Sequence, residues 1–188
     1  KAMPYASGFG PFAPGVHHLP MSYPFRDPAG LTGEQAAQRA ITYAEKRVGA
    51  ENLAAIVIEP IQGEGGFIAP APGFLKALQD FAHANGIVMI ADEVQTGFGR
   101  TGRLFAMQHF DVVPDILISA KSLAAGLPLS AQWRLHSQGP GVQVEGAISL
   151  AGQRLSLHLH LQVVVQRRVE GHPTCPCSCS CRRHRHRL

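Results

Sequence analysis

Three short, nearly unbroken apolar runs alternate with helix-patterned segments, and that order restricts this chain to an α/β sheet. The runs are LAAIVI at 53–58, IVMIA at 87–91 and DILIS at 115–119. Runs of strand length without polar alternation suit parallel strands covered on both faces. A helical segment precedes the first run. Thr32, Gly33, Glu34 and Gln35 match a capping box, and Ala36, Ala37, Ala40, Ile41, Ala44 and Val48 follow at helical spacing until Gly49. Before the second run, Pro72 suits a first helical turn. Phe74, Leu75, Leu78, Phe81 and Ala82 form an apolar stripe, and Gly86 suits a left-handed cap. Residues 1–31 are dense in Gly and Pro and read as loop, with one short strand near Val16. Strand–helix–strand order predicts a parallel sheet with right-handed crossovers.

In such sheets ligands lie beyond the carboxyl ends of the strands. Glu59, Asp92 and Lys121 each fall at or just past such an end. An acid and a lysine so placed suit pyridoxal phosphate chemistry. The carboxylate keeps the pyridine nitrogen protonated and the lysine forms a Schiff base. Each residue also has a plainer reading: a strand-end Asp capping a turn, a solvated loop lysine and a solvated loop acid.

The words around these residues are more specific. They are IEPIQGEGGF at 58–67, ADEVQTGFGRTG at 91–102 and SAKSLAAGLPLSA at 119–131, with KAMPYASGFGPFAPGVHHLP opening the chain. Together they resemble the class III (ω-) aminotransferases, most closely the 4-aminobutyrate branch. The resemblance implies part of the large domain of a fold type I transferase: an α/β unit, mostly parallel, with helices on both faces. It implies pyridoxal 5'-phosphate as cofactor. Lys121 would carry it and move a proton as general base and acid. Asp92 would hold the ring nitrogen, Val94 would pack on a ring face, and Gln95 would bond near the phenolic oxygen. Glu59 would lie near the cofactor. Glu64 would pair with an arginine that swings aside between substrates. The implied donor is 4-aminobutyrate, with 2-oxoglutarate as acceptor, in a homodimer or larger assembly. Ornithine- or diaminobutyrate-type transamination, a catalytically dead remnant and a basic binding module are the alternatives. The resemblance runs over 1–131 and stops, so the chain is expected to be a fragment with little activity by itself.

Composition changes at the same point. Residues 1–131 hold 9 Lys and Arg against 11 Asp and Glu, whereas 132–188 hold 8 Arg, no Lys and two Glu. All nine Phe and all three Tyr precede residue 132, and all four Cys follow it. Residues 132–188 are therefore expected to be a low-complexity basic tail without a packed core, resembling the out-of-frame product of a GC-rich gene. The basic balance belongs to that tail, so no nucleic-acid partner is expected of the first part. Cys175, Cys177, Cys179 and Cys181 alternate too closely for the usual zinc pairs, and no metal site is expected. No apolar stretch approaches a membrane span, and no leader is visible. A cysteine-free first part fits a reducing compartment, so a cytoplasmic location is expected.

Overall fold

The computed structural model describes residues 7–8, 10–12, 14–124, 127–138, 141–150 and 153–157. The tail from 158 onward, with its four cysteines, lies outside them. Helix α1, Gly33–Arg47, begins at the expected capping box. The Thr32 hydroxyl accepts from the Gln35 amide at 3.2 Å, and the Gln35 side chain accepts from the Thr32 amide at 3.0 Å. Its buried face is almost wholly alanine, so a second helix can approach closely. Gly33 is required at that approach, because a Cβ there would fall on the carbonyl oxygen of Pro72.

Helix α2, Phe74–Ala84, starts two residues later than Pro72 suggests, capped by Gly73. It ends as expected at Gly86, φ +68°. The Ile87 amide donates to Ala82 O at 2.8 Å and the Gly86 amide to His83 O at 3.4 Å, which closes the last turn. Phe74, Leu75 and Leu78 are buried from this helix, each stabilising the fold by roughly 1.5–3 kcal/mol.

Strands β1 (Ala55–Ile58), β2 (Val88–Asp92) and β3 (Ile116–Ser119) are adjacent and parallel. Ile56, Ile58, Met89 and Ala91 turn toward the two helices and share one core with them. Asp115 splices β2 to β3: its carboxylate accepts from the Met89 amide at 2.7 Å, and its own amide donates to Met89 O at 2.9 Å.

The α/β class is as expected, and the sheet is mixed. Strands β4 (Leu129–Gln138), β5 (Gly141–Leu150) and β6 (Gln153–Leu157) continue it antiparallel, in the order β1-β2-β3-β4-β5-β6. The boundary expected at Ala131 thus falls inside β4, and residues beyond it take part in the sheet. Among the described residues both helices lie on one face, and Val57 and Val88 are exposed on the other. Antiparallel neighbours join through short turns and bring no crossover helix with them. Among the described residues no helix is long and apolar enough to cross a membrane.

Candidate functional site

Parallel register brings three strand ends to one edge. Ile58 pairs with Ala91, Ala91 with Leu117, and Asp92 with Ile118. Glu59, Asp92 and the segment leading to Lys121 therefore leave the sheet side by side, on strands about 4.8 Å apart. The plain alternative for Asp92 is also realised, since its Oδ1 accepts from the Val94 amide at 3.0 Å. The turn so made carries Val94 and Gln95, both half-buried, just beyond the carboxylate.

Glu59 and Glu64 belong to one small hairpin, where Gln62 and Ile68 pair through two backbone bonds of 3.0 and 3.1 Å. Glu59 braces it from below: its carboxylate accepts from the Gly63 amide at 2.5 Å. Glu64 sits at the exposed tip and accepts from the Gln95 side-chain amide at 3.1 Å. Gly63 is buried beneath that contact, where a Cβ would meet the Gln95 side chain. The loops after β1 and β2 are thus joined by two residues assigned separate roles from the sequence.

Lys121 is exposed and heads a 3-10 turn over Lys121–Ala124. Its φ is +48°, a left-handed value that costs a non-glycine residue roughly 1–3 kcal/mol and persists only where the surroundings hold it. The turn is rooted at Ser119, fully buried, whose hydroxyl accepts from the Trp133 indole at 2.9 Å. Its other side is held by Arg100, whose Nε donates to the Ser122 hydroxyl at 2.6 Å.

Glu93 is the residue that motif reasoning passed over. It is fully buried and saturated with donors. One carboxylate oxygen accepts from the Thr96 hydroxyl and the Ala106 amide, both at 2.8 Å, and the other from the Met107 amide at 2.8 Å. It ties the glycine-rich loop at 96–102 to the 3-10 turn Ala106–His109, beneath the segment that carries Val94 and Gln95. A signal was available: Met89, Ala91 and Glu93 share one strand parity, so an acid there points toward the core.

The donor set fits pyridoxal 5'-phosphate at two of its anchor points. A half-buried carboxylate suits the ring N–H, and an exposed primary amine at the next strand end suits the aldehyde carbon. Among the described residues no group of His, Cys, Asp or Glu is arranged to hold a metal ion.

Comparison with known proteins agrees with this geometry. A family model described as "Aminotransferase class-III" matches residues 1–139, running past Ala131 through all of β4. The chain is 58% identical over 139 residues to the 4-aminobutyrate aminotransferase of Mycobacterium tuberculosis (strain ATCC 25618 / H37Rv), covering 70% of this chain and 31% of that protein. The chain therefore spans about a third of such a relative. Among solved structures, an (S)-enantioselective ω-transaminase from Thermomicrobium roseum matches with a TM-score of 0.61 and 43% identity, over 67% of this chain and 29% of that one. An ω-transaminase from Pseudomonas jessenii in complex with PMP matches with a TM-score of 0.59 and 35% identity, over 66% and 28%.

Proposed function

Because this chain belongs to the class III aminotransferase family, we propose that it is the part of a pyridoxal-phosphate-dependent transaminase that carries the cofactor lysine. The observation that supports this most is the shared edge of Asp92 and Lys121, set by the Asp92–Ile118 register. The cofactor, when bound, supplies an electron-withdrawing ring that takes up the electron pair released at the amino-bearing carbon of the donor. Asp92 holds the proton on the ring nitrogen, because a carboxylate close by favours the charged form. Lys121 Nζ anchors the cofactor and then takes and returns a proton as general base and acid. Val94 shapes the ring face, and Gln95 orients the phenolic side while tethered to Glu64. Glu59 keeps the first loop in place through the Gly63 amide.

The donor in this proposal is 4-aminobutyrate and the acceptor 2-oxoglutarate, in a cytoplasmic homodimer or larger assembly. The 58% identity to the M. tuberculosis 4-aminobutyrate aminotransferase supports the donor. A coupled glutamate assay over a panel of amines, run on a protein that restores the relatives' full length, tests it. A higher kcat/KM with 4-aminobutyrate than with ornithine is expected, and the reverse order moves the assignment to an ornithine-type enzyme.

The change in composition after Ala131 supports dividing the chain into a partial cofactor domain at 1–131 and a basic segment at 132–188, with β4 shared between them. Limited proteolysis with mass mapping is expected to trim the basic segment first. Full protection of 132–188 would overturn that division.

A further inference from the structure

We propose that Arg100 is a positioning residue for Lys121, holding the lysine turn through Ser122 from the neighbouring glycine-rich loop. This deepens the function proposed above and rests on Lys121 being the cofactor-bearing lysine. Arg100 Nε donates to Ser122 Oγ at 2.6 Å, between segments 22 positions apart. Ser122 directly follows Lys121, whose φ of +48° needs outside support. Ser119 and Trp133 hold the turn where it leaves β3, and Arg100 holds it beyond Lys121.

Arg100 is itself held in place. Phe98 and Gly99 are left-handed at φ +56° and +85°, the Gly99 amide donates to Leu104 O at 3.2 Å, and the Gly102 amide donates to Gly99 O at 3.1 Å. The Phe98 ring stands edge-on to Phe105, centroids 5.4 Å apart. The Gly97 amide donates to Glu93 O at 2.9 Å, and the Glu93 carboxylate fixes Ala106 and Met107. A continuous set of contacts thus runs from Asp92 through Glu93, the glycine-rich loop and Arg100 to Ser122 and Lys121. It couples the position of the amine to that of the carboxylate. Arginine suits this task because its planar fork is pre-organised and always charged.

The test compares the full 188-residue chain with Arg100→Ala, Arg100→Lys, Ser122→Ala and the Arg100→Ala/Ser122→Ala double variant. Two quantities are measured. One is the rate at which pyridoxal 5'-phosphate, trapped with borohydride, modifies Lys121, with Lys46 and Lys76 as internal references. The other is amide hydrogen exchange over 120–124 without cofactor. In Arg100→Ala, Lys121 modification is expected to fall about five-fold, the scale of one hydrogen bond, while Lys46 and Lys76 stay unchanged. Exchange over 120–124 rises, Arg100→Lys recovers part of both effects, and the double variant is no worse than either single one. Unchanged Lys121 modification and exchange in Arg100→Ala overturns the proposal, as does an equal change at all three lysines. If wild-type Lys121 reacts no faster than Lys46 while Arg100→Ala still raises exchange, Arg100 does position the turn and the cofactor assignment is what fails.

Discussion

Glu93 shows what one residue contributes beneath the site. Burying a carboxylate is costly unless donors surround it, and here a hydroxyl and two backbone amides do so at 2.8 Å. Glu93→Ala leaves those donors without an acceptor, and each buried unsatisfied group costs about 1–3 kcal/mol. We expect a total loss of about 3 kcal/mol or more, read by urea unfolding with the single tryptophan, Trp133, as probe. Glu93→Gln keeps the shape and an acceptor oxygen and should lose less. A Glu93→Ala midpoint equal to wild type would show that the carboxylate braces nothing. The positions of Asp92 and Lys121 at neighbouring strand ends were legible because motif and strand end coincide. Glu93, beside Asp92 in the same motif, was passed over for its neighbour. The Gln95–Glu64 bond was not legible either, since it joins loops 31 positions apart through a contact that only the folded sheet creates.

At the scale of elements, periodicity and capping carried most of the information. The capping box at Thr32, the cap at Gly86 and three strand positions could be read because each depends on residues close in sequence. The antiparallel strands β4–β6 were missed although Leu129, Ala131, Trp133 and Leu135 alternate with polar residues, as do Val142, Val144, Ile148 and Leu150, because the abrupt change of composition after Ala131 outweighed that period-two pattern. The entry to α1 is secured by a longer-range pair: Arg39 donates to Asp27 at 2.9 Å and to Met21 O at 2.9 Å. Removal from water raises the Asp27 pKa, and the Tyr23 amide with the Arg39 guanidinium outweighs that, leaving it below its ordinary value. A carboxylate lowered in the folded state stabilises at pH above its unfolded pKa, and that gain is lost as pH falls through the folded value. Arg39 is 39% exposed, so solvent screening keeps the pair below about 1 kcal/mol. The stability gap between wild type and Arg39→Gln should therefore be small at neutral pH and close below about pH 4. Urea midpoints across that range check it, and a gap that widens on acidification would contradict the sign.

The described residues form a parallel α/β edge of three strand ends extended by antiparallel strands, and the chain spans about a third of a similar full enzyme. Orienting groups in a complete active site supplies roughly 7–11 kcal/mol of barrier, more than one lysine and one carboxylate provide. Cofactor capture at this edge, rather than turnover, is therefore what the chain is expected to show. It is tested most directly by titrating the 188-residue chain with pyridoxal 5'-phosphate and following visible absorbance, beside Lys121→Ala and Asp92→Asn. A saturable spectral change in the wild-type chain, lost in Lys121→Ala and shifted in its pH dependence in Asp92→Asn, is the predicted result. Identical titrations for the wild type and Lys121→Ala would contradict it.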